Sequence, residues 1–493
     1  MSTGRDTAHS GGAADSRDQR TAHGAAPILL TNAILYDGER FVADGAVLVA
    51  AGRIAAAGPR AEVEAAPLAV RDVASGTGAQ PAARGLASGA GAQTTAQGGA
   101  AQGGAAKAPR RVDCGGRMLL PGLLNAHHHL YSALAAGLAP AGPMGTFPQI
   151  LENLWWRLDA AHDHESIYYS TVVGLLDAVA QGCTTVIDHH ASMGQVTGSL
   201  ATMARAFREV GVRGVLCFET SERSGLPAVG DHLAENVEFA ESVRDDEMLA
   251  GMLGLHANIT LSRETLQRIT RERPAGLPIH VHVGEAPEDL AFCREDGFAG
   301  PVARLDEFGL VERESFLIHG IHLDEADRGV IERVEPVIVT NPQSNANNGV
   351  GRFDPAITRR YLLGSDGMTN DMIATLRYHY LALQEGRRGI NRLGDTFFGY
   401  AREVRERFFP GTGALRPGAR ADLVVLEYAP VTPITAENAL MHLIFGARGA
   451  RARLTMVDGR VLFEEGAWRT VDAEAIAREV RGAAARLHAR FYG

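Results

Sequence analysis

Histidine and acidic residues stand at the C-terminal ends of short apolar runs in this chain. The first such run, RMLLPGLLNAHHH, ends in His127 and His129, which are spaced i, i+2. Successive side chains of a strand point to opposite faces, so both histidines would share one face. Candidates of the same kind end later runs: His280, His282, Glu285, His319, His322 and Asp366. These residue types point to metal chemistry.

Imidazole and carboxylate groups together suit zinc or ferrous iron. Three histidines and one aspartate can hold a metal and leave a position for water, whose pKa then falls to about 7. Glu285 lies three residues beyond His282, near such a metal but not necessarily on it. His280 shares the face of His282 by alternation, so the spacing leaves open which of them binds. The HxH pair His162 and His164 follows no strand and is typical of a helix start.

These candidates must be positioned by the elements that precede them. From Arg117 onward, short apolar runs alternate with helical patterns, which is typical of βα units and a parallel sheet. Eight such runs predict an α/β fold, a TIM-type (β/α)₈ barrel over residues 117–411, with its active site at the C-terminal ends of the strands. The runs are RMLLPGLLNAHHH, TTVIDHH, VRGVLCFET, MLGLHANIT, PIHVHVGE, SFLIHGIH, PVIVTNPQSN and YLLGSDG.

The two ends of the chain have a different texture. Residues 26–116 and 412–470 contain short strand patterns with tight turns, and they predict one small β-sandwich domain built from both chain ends. Residues 72–111 are rich in Gly, Ala, Gln and Ser and predict a flexible insertion. Residues 1–25 are polar and predict a disordered tail, whereas residues 471–493 predict a C-terminal helix.

Composition excludes several classes of function. The net charge of −10 and the absence of a long basic or apolar run argue against binding to nucleic acid or to a membrane. The first 25 residues lack the apolar segment of a Sec signal, and the four cysteines form no CxxC pair. We therefore expect a cytoplasmic protein with buried free thiols that acts on a small-molecule substrate, as a homodimer or higher homo-oligomer.

Lysine is nearly absent from the chain. Of the 48 basic residues only Lys107 is a lysine, and it lies in the low-complexity stretch. A P-loop lysine, a Schiff-base lysine and a carbamylated bridging lysine are therefore excluded.

The motifs PGLLNAHHHL, HVHVGE, IHG, NPQSN and SDG, in this order, resemble the amidohydrolase superfamily. More narrowly, the chain is similar to the aminohydrolase and chlorohydrolase branch, closest to the putative aminohydrolases of the SsnA group. LENLWWRLD, CTTVIDHHAS, GMLGLHANITLS and NPQSNANNGVG carry this narrower resemblance, which covers residues 26–470 apart from the 72–111 insertion.

The resemblance implies roles for individual residues. It implies one divalent metal ion, zinc or alternatively iron, held by four ligands: His127, His129, His282 and Asp366. It also implies that Glu285 is the proton shuttle, that His319 polarises the bond under attack, and that His256 contacts substrate. Members with two metals bridge them with a carbamylated lysine, so the lack of a lysine in the predicted barrel agrees with the single-metal branch.

We accordingly expect hydrolytic deamination of a planar, purine-like nitrogen heterocycle, with Asp366 also accepting the proton of water. The same site could instead open a cyclic amide or displace chloride from an aromatic ring. A non-catalytic scaffold is a third hypothesis, although such proteins usually lose metal ligands. Trp155 and Trp156 could line the pocket or pack in a helix core. Substrate binding and loop support both remain open for three further residues: Asn341, Gln343 and Asn345.

Overall fold

A computed structural model describes residues 26–65, 108–384 and 390–493. The predicted tail, and the predicted insertion up to residue 107, lie outside these ranges. None of the helices within them combines the length and apolar character that a membrane span requires. All four cysteines are buried and free, which confirms that part of the sequence interpretation.

Strands occur at both ends of the chain and throughout its middle. The seventeen strands of the described residues are β1 Ile28–Tyr36, β2 Phe41–Ala50, β3 Arg53–Pro59, β4 Arg110–Pro121, β5 Leu123–His128, β6 Cys183–His190, β7 Arg213–Phe218, β8 Leu249–Gly251, β9 Leu253–Ala257, β10 Ile279–Val283, β11 Phe316–His319, β12 Val337–Thr340, β13 Tyr361–Leu363, β14 Leu423–Leu426, β15 Ala452–Val457, β16 Arg460–Glu464 and β17 Ala467–Trp468.

Helices separate most of the middle strands. The α-helices of the described ranges are α1 Arg60–Ala65, α2 Phe147–Ile150, α3 Trp156–Ala161, α4 His164–Ala180, α5 Ser199–Val210, α6 Val229–Ser242, α7 Arg263–Glu272, α8 Pro287–Glu295, α9 Pro301–Glu307, α10 Glu325–Val334, α11 Pro342–Asn347, α12 Met372–Gln384, α13 Tyr400–Phe408, α14 Ala439–Met441 and α15 Ala473–Tyr492. The predicted helix start at AHDHES is confirmed, because Asp163 caps α4 and accepts a hydrogen bond from the Ser166 N–H.

The chain ends share one mixed sheet of eight strands in the order β17-β16-β15-β14-β4-β1-β2-β3. Strand β4 joins the halves, since it pairs in parallel with β1 and antiparallel with β14. Hydrogen bonds thus link all eight strands into one sheet. Alternation along β4 buries Leu119 in the sheet's own core, while Met118 and Leu120 pack in the main core of the molecule.

The middle of the chain forms two parallel sheets. One has the order β5-β6-β7-β8 and the other the order β13-β12-β11-β10-β9. Single parallel bridges connect their edges, between His128 and Asp366 on one side and between Thr220 and Leu255 on the other. These edge bridges bring the carboxyl ends of strands from both sheets to one region.

One of the eight predicted strands differs from expectation. The run RMLLPGLLNAHHH is two strands rather than one, because β4 ends at Pro121 and β5 begins at Leu123. Gly122 lies at the break, where a Cβ would come within 2.2 Å of the Thr184 side chain. Strand β4 therefore runs through the predicted domain boundary at residue 117 and through the last residues of the predicted insertion. The fourth run contains β9, and the short strand β8 just before that run belongs to the other sheet.

Candidate metal centre and active site

His127 lies near the end of strand β5 and His129 directly follows that strand, and the two side chains lie together as alternation predicts. Both side chains are buried, and their ring centroids lie 4.7 Å apart. Gly364 lets the segment that follows β13 approach this strand closely, because a Cβ at that position would lie 2.8 Å from the Cβ of His127. The next residues, Ser365 and Asp366, then donate their N–H groups to the carbonyl oxygen of His127.

The ring nitrogens of His129 and His282 face each other. His129 Nδ1 lies 2.6 Å from the carbonyl oxygen of His189, and His282 Nδ1 lies 2.9 Å from that of His256. A carbonyl can only accept, so each Nδ1 carries a proton and each neutral ring keeps a lone pair on Nε2. These two Nε2 atoms are 3.2 Å apart. Two converging lone pairs repel each other unless a cation lies between them, so this arrangement fits a metal ion.

Asp366 brings a carboxylate to the same point. Its Oδ1 lies 3.0 Å from His129 Nε2 and 3.7 Å from His127 Nε2, while Ser344 donates to its Oδ2 at 2.6 Å. Burial alone would raise the pKa of Asp366, but its contacts with the imidazoles of His127 and His129 hold that pKa well below its usual range. Asp366 is therefore an ionised carboxylate in contact with the imidazoles.

His280 supports this cluster from one side. Its Nε2 lies 2.8 Å from His127 Nδ1, so this nitrogen is occupied by a protein partner. His127 Nε2, by contrast, is buried without a hydrogen-bond partner within the described residues and faces Asp366. A buried polar atom without a protein partner is costly, so this nitrogen is available to a metal ion.

His319 and Glu285 lie on the opposite side of Asp366. Asn345 Oδ1 lies 2.8 Å from His319 Nδ1, while His319 Nε2 is 3.4 Å from Glu285 Oε2 and 4.0 Å from Asp366 Oδ2. Burial raises the pKa of Glu285 to about 7, although the nearby His319 opposes this shift. Glu285 is thus suited to exchange a proton near neutral pH.

The backbone at this site is strained. His319 and Asp366 have φ values of 74° and 54°, in the left-handed region that residues with a Cβ rarely adopt. Each follows or ends a parallel strand, and the turn aims its side chain at the cluster. Strain of this kind costs of the order of 1–3 kcal/mol and concentrates at functional sites.

Five overlapping groups of side chains offer ligand atoms within 4.8 Å of one another among the described residues. One joins His127, His129 and Asp366, and another joins His127, His282 and His319. The four residues singled out as ligands from the sequence therefore converge through His127 and through the contact between His129 and His282.

A cavity of about 900 Å³, including its open mouth, adjoins the cluster. His256 lines it, with Nδ1 2.9 Å from Thr260 Oγ1. Trp155 and Trp156 line it too, and Trp155 also packs against the apolar cluster around Leu158. Flat rings of this kind can stack on a planar heterocycle.

The three polar residues after β12 face protein rather than the cavity. Asn345 binds His319, Asn341 lies 3.5 Å from His319 Nδ1, and Gln343 accepts from Thr375 at 3.0 Å. Their neighbours Ser344 and Asn348 line the cavity instead.

Three charged residues of the cavity wall were not predicted from the sequence. Arg223 donates to Glu219 Oε2 at 3.0 Å and also to Asp159; both carboxylates are buried, and the Arg223 side chain is 9% exposed. Glu219 directly follows β7 in the run VRGVLCFET, so the strand-end rule applied to the histidines could have found it. Asp159 and Arg223 follow no strand, and their spacing gives no comparable signal.

A model of the amidohydrolase family matches residues 118–462, well over half of the chain. The chain belongs to the amidohydrolase family. This confirms the family suggested by the motifs PGLLNAHHHL through SDG.

Curated relatives of this amidohydrolase are deaminases by name. A 5-methylthioadenosine/S-adenosylhomocysteine deaminase of Desulfitobacterium hafniense (strain Y51) is 28% identical over 382 residues, covering 75% of this chain and 86% of the relative. One with the same name from Pyrococcus furiosus is 26% identical over 389 residues, covering 75% and 89%.

Solved structures share the fold. An adenosine deaminase from Xanthomonas campestris with bound zinc has a TM-score of 0.73 at 19% identity, covering 94% of this chain and 99% of that chain. An atrazine chlorohydrolase from Arthrobacter aurescens TC1 complexed with zinc has a TM-score of 0.69 at 19% identity, covering 93% and 100%. At these identities the likeness concerns the fold, a TIM-like α/β architecture.

Proposed function

We propose that this amidohydrolase is a metal-dependent aminohydrolase that deaminates an amino-substituted purine or its nucleoside. The observation that carries the proposal is the convergence of three imidazoles, one ionised carboxylate and a Glu285 of raised pKa at the ends of parallel strands from two sheets. The names of the curated relatives support a purine nucleoside as the substrate class.

His127, His129, His282 and Asp366 would hold one divalent ion, with zinc favoured by the nitrogen-rich donor set. His280 acts as a support, because its Nε2 meets His127 Nδ1 rather than the centre. When bound, the ion acts as a Lewis acid that lowers the pKa of a water toward neutrality.

The remaining steps belong to the chain's own side chains. Asp366 Oδ2 accepts a proton from the attacking water. Glu285 holds a proton near neutral pH and delivers it to the ring nitrogen as water attacks. Asp366 then passes the water proton to the amino group, which leaves as ammonia, and the new hydroxyl group returns a proton to Glu285. His319, when protonated on Nε2, donates to the centre under attack, and Asn345 fixes its ring. His256 and the tryptophans orient the heterocycle.

We also propose that the two parallel sheets form one closed eight-stranded barrel, in which β8 and β9 count as one strand interrupted at Met252. The bridges at His128–Asp366 and Thr220–Leu255 support closure at both edges. The mixed sheet, with its separate apolar core around Leu119, would fold against itself as the small β domain.

Ammonia release tests the proposed reaction. We expect the zinc-loaded full-length protein to release ammonia from adenosine, 5-methylthioadenosine or guanine, with conversion to the hydroxypurine visible by ultraviolet absorbance. A panel on which no aminopurine, pterin, pyrimidine or triazine yields ammonia would contradict deamination.

A second candidate reaction uses the same site on a different bond. The structural likeness to an atrazine chlorohydrolase with zinc favours displacement of chloride from a triazine. Product analysis separates the two reactions, because deamination releases ammonia whereas dechlorination releases chloride. Ring opening of a cyclic amide would instead yield a carboxylate without either.

A further inference from the structure

The wall of the active-site cavity carries an excess of negative charge. Among the described residues that line it, Arg223 is the only arginine or lysine. Six carboxylates line the same cavity: Asp159, Glu219, Glu285, Glu288, Asp289 and Asp366. Even with a divalent ion bound, the carboxylates outnumber the positive charges of the ion and Arg223.

The guanidinium of Arg223 is already occupied. Its Nε donates to Ser221 Oγ at 3.0 Å, its Nη2 to Glu219 Oε2 at 3.0 Å, and its Nη1 to Asp159. The ring of Trp156 lies 5.3 Å from its central carbon. All three nitrogens therefore serve protein acceptors, and two carboxylates compensate the one positive charge.

The two carboxylates that hold Arg223 are buried and share its single positive charge. The carboxylates of the cavity wall would repel an anion placed there. A neutral or cationic group with N–H or O–H donors could instead form hydrogen bonds to them.

We propose that the cavity admits neutral or cationic heterocyclic substrates and excludes those that carry a phosphate or a carboxylate, because Arg223 is held by Asp159 and Glu219. The inference rests on the proposed function and specifies its substrate class. It predicts a nucleoside rather than a nucleotide. Between the two compounds in the relatives' name, it predicts preference for 5-methylthioadenosine, which is neutral, over S-adenosylhomocysteine, which bears a carboxylate.

Paired substrates test the discrimination in the wild-type enzyme. Initial rates of deamination would be measured for adenosine against adenosine 5′-monophosphate, and for 5-methylthioadenosine against S-adenosylhomocysteine. Since like-charge contacts cost several kcal/mol, we expect kcat/KM to fall by about 100-fold for the phosphate, mainly through KM. A smaller fall in the same direction is expected for the carboxylate, whose ammonium partly offsets it.

Binding gives a readout that does not depend on turnover. By titration calorimetry, inosine should bind the wild-type protein and inosine 5′-monophosphate should bind about 100-fold more weakly. The variant Glu219→Gln releases one partner of Arg223 and should narrow this gap by about tenfold. Asp159→Asn should act in the same direction. Glu241→Gln, at an exposed position on α6, is the matched control and should leave the gap unchanged.

The outcomes separate this inference from the proposed function. If adenosine is deaminated and its 5′-phosphate is equally good, charge exclusion is wrong and the deaminase proposal stands. If no nucleoside or base is deaminated, the proposed function fails, and the calorimetric gap still decides the inference. Equal gaps in Glu219→Gln and in the wild type would overturn the role of Arg223, whereas misfolding of that variant leaves the wild-type comparison decisive.

Discussion

Two buried polar clusters of this protein differ in how completely their atoms are paired. Where β7 meets the mixed sheet, Arg213 donates to Asp422 at 2.7 Å and to the carbonyl oxygen of Glu247, and it lies 2.7 Å from Asp458. At the other end of the parallel strands, the Nε2 atoms of His127 and His319 lack hydrogen-bond partners within the described residues. The paired cluster joins two sheets, whereas the unpaired one leaves atoms available for a ligand.

Backbone conformation separates the same two clusters. Asp458 has a positive φ of 46°, but it precedes Gly459 in the tight turn between β15 and β16, where Asp-Gly favours that geometry. His319 and Asp366 have positive φ at the ends of parallel strands, with no such turn motif. Strain explained by a local turn is structural, and strain at a cluster of unpaired atoms marks function.

The largest expected effect is that of Asp366→Asn in the unpaired cluster. The substitution removes a metal ligand and the acceptor of the water proton, so kcat for ammonia release should fall by about 10⁴-fold or more. Circular dichroism and the unfolding transition should stay close to those of the wild type. Near-normal turnover in this variant would refute the role given to Asp366.

Glu285→Gln should cost about 10³-fold in kcat, because the amide cannot transfer a proton to the leaving group. Zinc content measured on the same preparation should be unchanged, since Glu285 is assigned no bond to the metal. Glu288→Gln, another acid of the cavity wall, provides the comparison. Equal losses in both variants would contradict a special role for Glu285.

The paired cluster should behave in the opposite way. Asp422→Asn leaves Arg213 buried with an incomplete partner, so the free energy of unfolding should fall by about 3–5 kcal/mol. The kcat/KM of the fraction that remains folded should be unchanged. Urea titration followed by circular dichroism measures the first quantity. A loss of activity without a loss of stability would erase the contrast between the clusters.

A paired histidine far from the metal cluster gives the smallest effect. His379 lies 3.0 Å from the hydroxyl of Tyr361, and burial lowers its pKa to about 4. Between about pH 6.5 and pH 4, His379 is therefore protonated in the unfolded chain but neutral in the folded chain. The contribution of neutral His379 to the free energy of unfolding is complete above about pH 6.5 and falls by about 3 kcal/mol as the pH drops toward 4.

His379→Gln tests this linkage, because glutamine can keep the contact with Tyr361 and does not titrate. Unfolding free energies measured from pH 7 down to pH 4.5 should decline less steeply for the variant than for the wild type. Parallel curves would show that His379 does not couple stability to pH.

Much of the site could be read from the sequence because one rule governs it. Strand alternation and the polarity of parallel strands predicted that His127, His129 and Asp366 would meet either His280 or His282, and the family resemblance implied His282. The rule fails where a polar residue follows no strand, as for Asp159 and Arg223, whose proximity depends on how distant segments pack. The rule also fails where one apolar run contains strands of two different sheets, as on either side of Gly122. Hydrophobicity does not reveal which partner a strand pairs with.

The metal content of the purified full-length protein tests the central claim most directly. After incubation with zinc and dialysis, elemental analysis should find one zinc ion per chain, and a His127→Ala/His129→Ala double variant with an unchanged circular dichroism spectrum should retain almost none. A folded wild-type protein that binds no zinc or iron, or a double variant that binds as much as the wild type, would contradict the account.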